Sequence, residues 1–195
     1  MNNKPRVFPW LVLLAAAQVW GADSRFEHSR SIVADFQQTL MGELQAAMAE
    51  GGPVQAIDVC REVAPAIAAR ASEASGAAVG RTALRVRNPD NAPDPAAVEV
   101  LEAFRAEVDA DAAVAPERYT VHGDGSARYM RAIVLQPPCA TCHGERLAPA
   151  VTEALAEHYP EDRATGFSVG ALRGAFIIDW PAATAPRAEP EAPGR

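Results

Sequence analysis

The residues of this chain whose types and spacing can do chemistry are concentrated in one pentapeptide, Cys139-Ala140-Thr141-Cys142-His143. Two thiols at this spacing can each add to a vinyl group on one edge of a porphyrin, while the adjacent imidazole is placed to ligate its iron. The same five residues admit two other readings. A redox disulfide of thioredoxin type needs a strand-to-helix passage in a βαβ setting, and a zinc site needs two further Cys or His at close spacing. Neither context accompanies the motif, so covalent haem is the preferred reading, with Cys139 and Cys142 as thioethers and His143 as the proximal ligand.

The chain has three cysteines, an odd number, which leaves Cys60 over. By spacing alone Cys60 shares an apolar helical face with Ile57 and Ile67 and reads as a small buried hydrophobe. Against this, an unpaired thiol in an oxidising compartment is a liability unless something occupies or hides it, and iron could occupy it. As a thiolate it would donate charge to the metal and favour the ferric state. The other candidates for the second axial position are His28, His122, His158, Met41, Met48 and Met130. Met41 and Met48 lie beside a leucine stripe, a core pattern, and His122 and His158 read as solvent-facing.

The compartment is argued from residues 1–22, where Lys4 and Arg6 precede an apolar run from Val7 to Ala17 and small residues follow at Gly21 and Ala22. This order reads as a cleaved secretory signal, and the run is far short of the ~20 residues that span a bilayer. The expected location is periplasmic or otherwise exported, with no stable membrane span after cleavage. The 195 residues are 49% hydrophobic and 22% charged, with 18 Lys+Arg against 25 Asp+Glu and a net charge of −7. That is enough apolar material for a core, and it argues against a nucleic-acid partner. Residues 182–195 set four charged residues and three prolines among alanines without apolar periodicity and read as a disordered tail. One domain remains, residues 23–181.

Within it, Ile32, Phe36, Leu40 and Leu44 mark a helix that Gly51-Gly52-Pro53 stops, and Ile57, Cys60, Ala64, Ile67 and Ala71 mark a second that begins at once. Val79–Val86 reads as a strand, followed by a stiff turn-rich loop at 88–95 and a third helix carrying Val98, Leu101, Phe104 and Val108. Arg118–His122 and Ala127–Leu135 flank a Gly123-Asp124-Gly125-Ser126 turn as a hairpin. The cysteine motif comes next, then a short helix at about Ala150–His158, then strands at Gly166–Val169 and Gly174–Trp180. Helices in front and hairpin-connected strands behind imply an α+β domain on an antiparallel sheet.

Several ordered blocks carry a family resemblance. Gly51, Val54-Gln55-Ala56-Ile57-Asp58-Val59-Cys60, Val79-Gly80-Arg81-Thr82, Arg87-Asn88-Pro89, Asn91-Ala92-Pro93-Asp94, Cys139-Ala140-Thr141-Cys142-His143-Gly144, Tyr159-Pro160 and Gly170-Ala171-Leu172-Arg173-Gly174-Ala175-Phe176 together resemble the PAS-like c-type haem domain family. The resemblance implies a PAS-like sheet with N-terminal helices packed on it, one covalent haem c and a His/Cys axial pair, which falls here on His143 and Cys60. It also implies a redox or diatomic-gas sensor, with a gas ligand or a redox partner protein as its further partners. Arg81, Arg85, Arg87, Asn88 and Arg173 could meet the haem propionates; they read equally as exposed charges, with Asn88-Pro89 building a turn. The alternatives are a periplasmic electron-transfer cytochrome and a secreted thiol-disulfide protein without haem. No catalytic residues stand out, and no enzyme activity is expected.

Overall fold

The structure, a computed structural model, describes residues 20–111, 113 and 115–182. The signal segment assigned to 1–22 falls largely, and the tail assigned to 182–195 almost wholly, outside the described residues. No described helix is long and apolar enough to cross a membrane.

The first helix, α1 (Trp20–Asp58), is broken where the sequence puts Gly52 before Pro53. Gly52 has φ 73° and ψ −165°, a conformation open to glycine, and the proline that follows disfavours a helical residue before it. The long limb buries Ile32, Val33, Phe36 and Leu40, one stripe at threes and fours. A single π-helical turn, Val59–Val63, then leads into α2 (Ala64–Ser75), whose start carries Pro65 and whose end is capped by left-handed Gly76 donating to Ser72 O at 2.9 Å. The π turn is absent from the periodicity reading and matters below, because it carries Cys60.

Strand β1 (Ala78–Thr82) stops four residues earlier than the sequence suggests. Beyond it the backbone and arginines of 83–88 engage the loop at 162–165, as in Arg163 N–H donating to Val86 O at 2.9 Å, so the segment leaves the sheet. Helix α3 (Pro95–Ala110) is capped by Asp94, which accepts from Ala97 N–H at 2.7 Å, and buries Ala97, Leu101, Phe104 and Val108. The hairpin of β2 (Glu117–Val121) and β3 (Ala127–Val134) turns where expected, with Asp124 Oδ1 accepting from Ser126 N–H at 2.9 Å and Gly125 at φ 82°.

After β3 come α4 (Ala140–His143), α5 (Pro149–His158) and the last strand, β4 (Leu172–Trp180). The strand expected at Gly166–Val169 does not form. Left-handed Gly166 (φ 73°) and Gly170 (φ 90°) curl that segment, and Phe167 makes only one bridge, to Gly144.

The sheet has the order β1-β4-β3-β2, every neighbouring pair antiparallel, with Tyr129 opposite Ile178 and Met130 opposite Ile177. Strand alternation gives it two apolar faces. Ala127, Tyr129, Phe176, Ile178 and Trp180 pack under α1 and α2, while Met130, Ala132, Leu172 and Ala175 pack on α3. The expected α+β class holds, as helices on both faces of one antiparallel sheet. Residues of both α1 and the sheet line one cavity, which is the candidate site.

Candidate functional site

Pro137 and Pro138 cannot continue the β3 ladder, and they form a 3-10 turn at Pro137–Cys139 that feeds directly into α4. Cys139 and Cys142 are thereby set one helical turn apart, with His143 at the helix end. Gly144 follows, where a Cβ would lie 2.4 Å from the backbone oxygen of Ala140, so no larger residue fits without movement.

These residues open onto a cavity of about 540 Å³, within the range of small-molecule and cofactor sites. Its walls come from α1 (Leu40, Met41, Leu44), the sheet (Ile133, Phe176) and the motif itself. Cys60, Cys139 and Cys142 are all free, half-buried thiols and all line it, as does His143. Cys60 reaches this wall by way of the π turn. That turn adds a residue to the helical repeat, so Val59 and Ala64 take the core positions and Cys60 faces the cavity. The buried-hydrophobe reading of Cys60 is therefore corrected: it is half-buried and cavity-facing.

His143 is held in one tautomer. Its Nδ1 is 2.6 Å from the carbonyl oxygen of Ala164, which can only accept, so Nδ1 carries the proton and Nε2 keeps the lone pair. Arg173 Nε, 3.3 Å from the same nitrogen, is then a neighbouring charge and not a donor to it. Burial, with the positive charges of Arg173 and Arg87 nearby, pushes the imidazole down to about 2, so the ring is neutral at ordinary pH. Burial likewise pushes the Cys142 thiol up.

Of the five suggested propionate contacts, four line the cavity: Arg81, Arg87, Asn88 and Arg173. Arg85 does not. It donates from Nε to Arg163 O at 3.0 Å, bonds Thr165 O, and stacks on Phe167 at 4.3 Å, so it braces the adjoining loop. Asn88 lends its side-chain oxygen to Asp90 N–H at 3.0 Å, the turn role also foreseen for it. Arg87 is the most buried of the group and is tied to Asp162 at 3.0 Å. Arg81 and Arg173 are different: burial lowers both guanidinium pKa values, that of Arg173 to about 10.

Among the described residues, neither Arg81, Arg173 nor the cavity-lining Arg131 makes an ion pair. Cations without an ion-pair partner around an apolar hollow suit an anionic ligand with a large apolar body. Among the described residues no three His, Cys, Asp or Glu side chains converge on a site for a bare metal ion. Of the alternative second ligands, Met41 and Met48 also line the cavity, whereas Met130 is buried against α3. Spacing in the sequence gives no sign of Arg131, Tyr159 or Asp162 as site residues, because their approach to the motif depends on long-range packing; Tyr159-Pro160 enters only as one block of the family resemblance.

Fold and site together define a PAS-like α+β domain whose sheet and N-terminal helix enclose a cavity that gathers a CxxCH motif, a third thiol and unpaired arginines. Residues 17–181 match the family model described as Tll0287-like, and the chain belongs to that family. Among solved structures, the crystal structure of the cyanobacterial heme-protein Tll0287 aligns with a TM-score of 0.64 at 28% identity, covering 83% of this chain and 98% of that one. A search of curated proteins finds no match. The family resemblance drawn from the sequence blocks thus holds.

Proposed function

We propose that this chain is an exported c-type haemoprotein carrying one covalent haem, and that it senses redox state or a diatomic gas. The observation that carries the reading is the convergence of Cys139, Cys142, His143 and Cys60 on one cavity rimmed by unpaired Arg81 and Arg173. Kinship to a protein described as a heme-protein supports it.

Cys139 and Cys142 would hold the group through thioethers, each sulfur forming a bond to one vinyl carbon while its proton goes to the other. His143, neutral and with Nε2 free, has the form a proximal ligand needs. Arg81 and Arg173 would balance the two propionates. Bound there, haem would supply a one-electron couple and an iron able to take a gas ligand. Cys60 would be the second ligand, a thiolate donor in the oxidised protein and, once neutral, a weak one in the reduced protein. Its location on a π turn supports this reading, since such turns mark functional sites within helices.

The test is the absorption spectrum of oxidised and reduced protein, parent against Cys60→Ala, with carbon monoxide added to the reduced form. The parent should gain the mass of one haem, bind the gas when reduced, and differ from the variant when oxidised. Identical ferric spectra would remove Cys60 from the ligand set. A ferrous parent that refuses the gas would instead favour a plain electron carrier.

A further inference from the structure

We infer that Asp162 and Arg87 are positioning residues for His143, forming a closed buried circuit that fixes the tautomer and orientation of its ring. The inference rests on the haem reading above and adds to it the part of the chain that sets the donor strength of the proximal side.

The circuit can be followed atom by atom. Arg87 Nε and Nη2 each lie 3.0 Å from Asp162 Oδ2, and the two side chains are 6% and 10% exposed. Asp162 Oδ1 accepts from the Ala164 N–H at 2.7 Å. The Ala164 carbonyl accepts from His143 Nδ1 at 2.6 Å, and Arg87 Nη2 returns to the motif by donating to Cys142 O at 2.6 Å. Ala164 is therefore tied to the imidazole and Arg87 to the residue preceding it, and Asp162 joins the two.

Two arguments separate this from ordinary loop packing. Ala164 belongs to no helix or strand, so nothing in regular secondary structure sets the direction of the one carbonyl that holds His143. Asp162 does so locally, by gripping the amide of the same residue. The second argument is energetic: a buried ion pair is often no more stabilising than apolar residues of similar volume, so its presence here points to geometry and not to stability. The partner of a ligand imidazole's free N–H governs its basicity, and loss of such partners typically weakens metal binding about 10–100-fold. Flanking bonds from Gly166 N–H to Gly144 O at 2.8 Å and from Phe167 N–H to His143 O at 3.0 Å hold the loop to the motif but leave the ring untouched.

The test uses holoprotein of the parent, Asp162→Asn, Asp162→Glu and Arg87→Lys. It reads covalent haem mass, the midpoint potential, and solvent exchange of the His143 Nδ1 proton by NMR. We expect Asp162→Asn to keep its haem mass, to show a more positive potential because the imidazole donates less, and to exchange the Nδ1 proton faster. Asp162→Glu should recover part of both changes. A folded Asp162→Asn with unchanged potential and exchange would overturn the inference. If that variant does not fold, Arg87→Lys, which keeps the charge but loses the two-nitrogen grip, is expected to shift the same readouts, and no shift there overturns the inference equally. A parent without covalent haem would sink the haem reading first, and this inference with it.

Discussion

Trp180 Nε1 donates a 2.9 Å hydrogen bond to Ser29 Oγ across 151 positions of sequence, joining the last residue of β4 to the N-terminal part of α1. Ser29 is fully buried and passes the interaction on, its hydroxyl donating to Arg25 O at 2.7 Å. The bond fixes where α1 begins its run across the sheet, and so where its far end meets the cavity.

Ser29→Ala leaves the buried indole N–H without a partner, a loss of about 1–3 kcal/mol. Urea unfolding should show a lower midpoint with an unchanged slope and, on the haem reading proposed above, an unmoved visible spectrum. A midpoint equal to the parent's would mean that the indole finds another acceptor.

Tyr129 governs the alkaline limit of the same core. Its ring is fully buried, its hydroxyl donates to Glu117 Oε2 at 2.6 Å, and burial followed by that carboxylate drives its pKa well above the ordinary phenol value. Above pH ~10 the unfolded chain has lost a proton that the folded chain keeps, so stability falls as pH rises; below that it is fully present. Tyr129→Phe should flatten the decline between about pH 10 and 12 while giving up about 0.5–1.5 kcal/mol at neutral pH. Stability measured by denaturant at each pH decides it, and parallel curves for the two proteins would refute the assignment.

The unpaired arginines make a prediction about ligand charge. In a Cys139→Ala/Cys142→Ala double variant, free haemin should bind about tenfold or more tightly than its dimethyl ester, a difference of about 1.4 kcal/mol. Replacing Arg81 or Arg173 by Ala in that background should narrow the gap, and the same change at Arg85, which lies outside the cavity lining, should not. Equal affinity for both porphyrins in every variant would dissociate these guanidiniums from carboxylate recognition.

What the sequence made legible follows how local each determinant is. The break at Gly52-Pro53 and the 123–126 hairpin turn are set by neighbours within a few positions, and each is where the pattern puts it. The π turn is not encoded in apolar spacing, which is why Cys60 reads as a core residue until the helix is seen to slip by one. Arg85 and Arg87 are two residues apart and look equivalent, yet one grips loop carbonyls and the other a carboxylate 75 positions away. That distinction is made by the loop at 162–170, which left-handed Gly166 and Gly170 curl out of the sheet.

Glycines near the site give a matched pair of opposite outcomes. Gly144 has φ −72° and ψ 179°, which any residue can adopt, so conformation is no obstacle to Gly144→Ala; space is. The new Cβ would stand 2.4 Å from Ala140 O, a backbone atom that cannot swing aside. Relieving the clash must open the last turn of α4 or pull Gly144 O from Gly166 N–H, and either displaces His143. The expected cost is about 1–3 kcal/mol together with, on the haem reading proposed above, a lower yield of covalently loaded protein. Gly42, on the exposed side of α1, has nothing within 4 Å of its Cβ position. Gly42→Ala should therefore stabilise the helix by about 0.5–1 kcal/mol and leave loading unchanged. Thermal unfolding and haem mass measured on both variants separate the two effects. A tolerated alanine at 144 with full loading would mean that the motif turn is free to adjust, and that His143 is held from the Ala164 side alone.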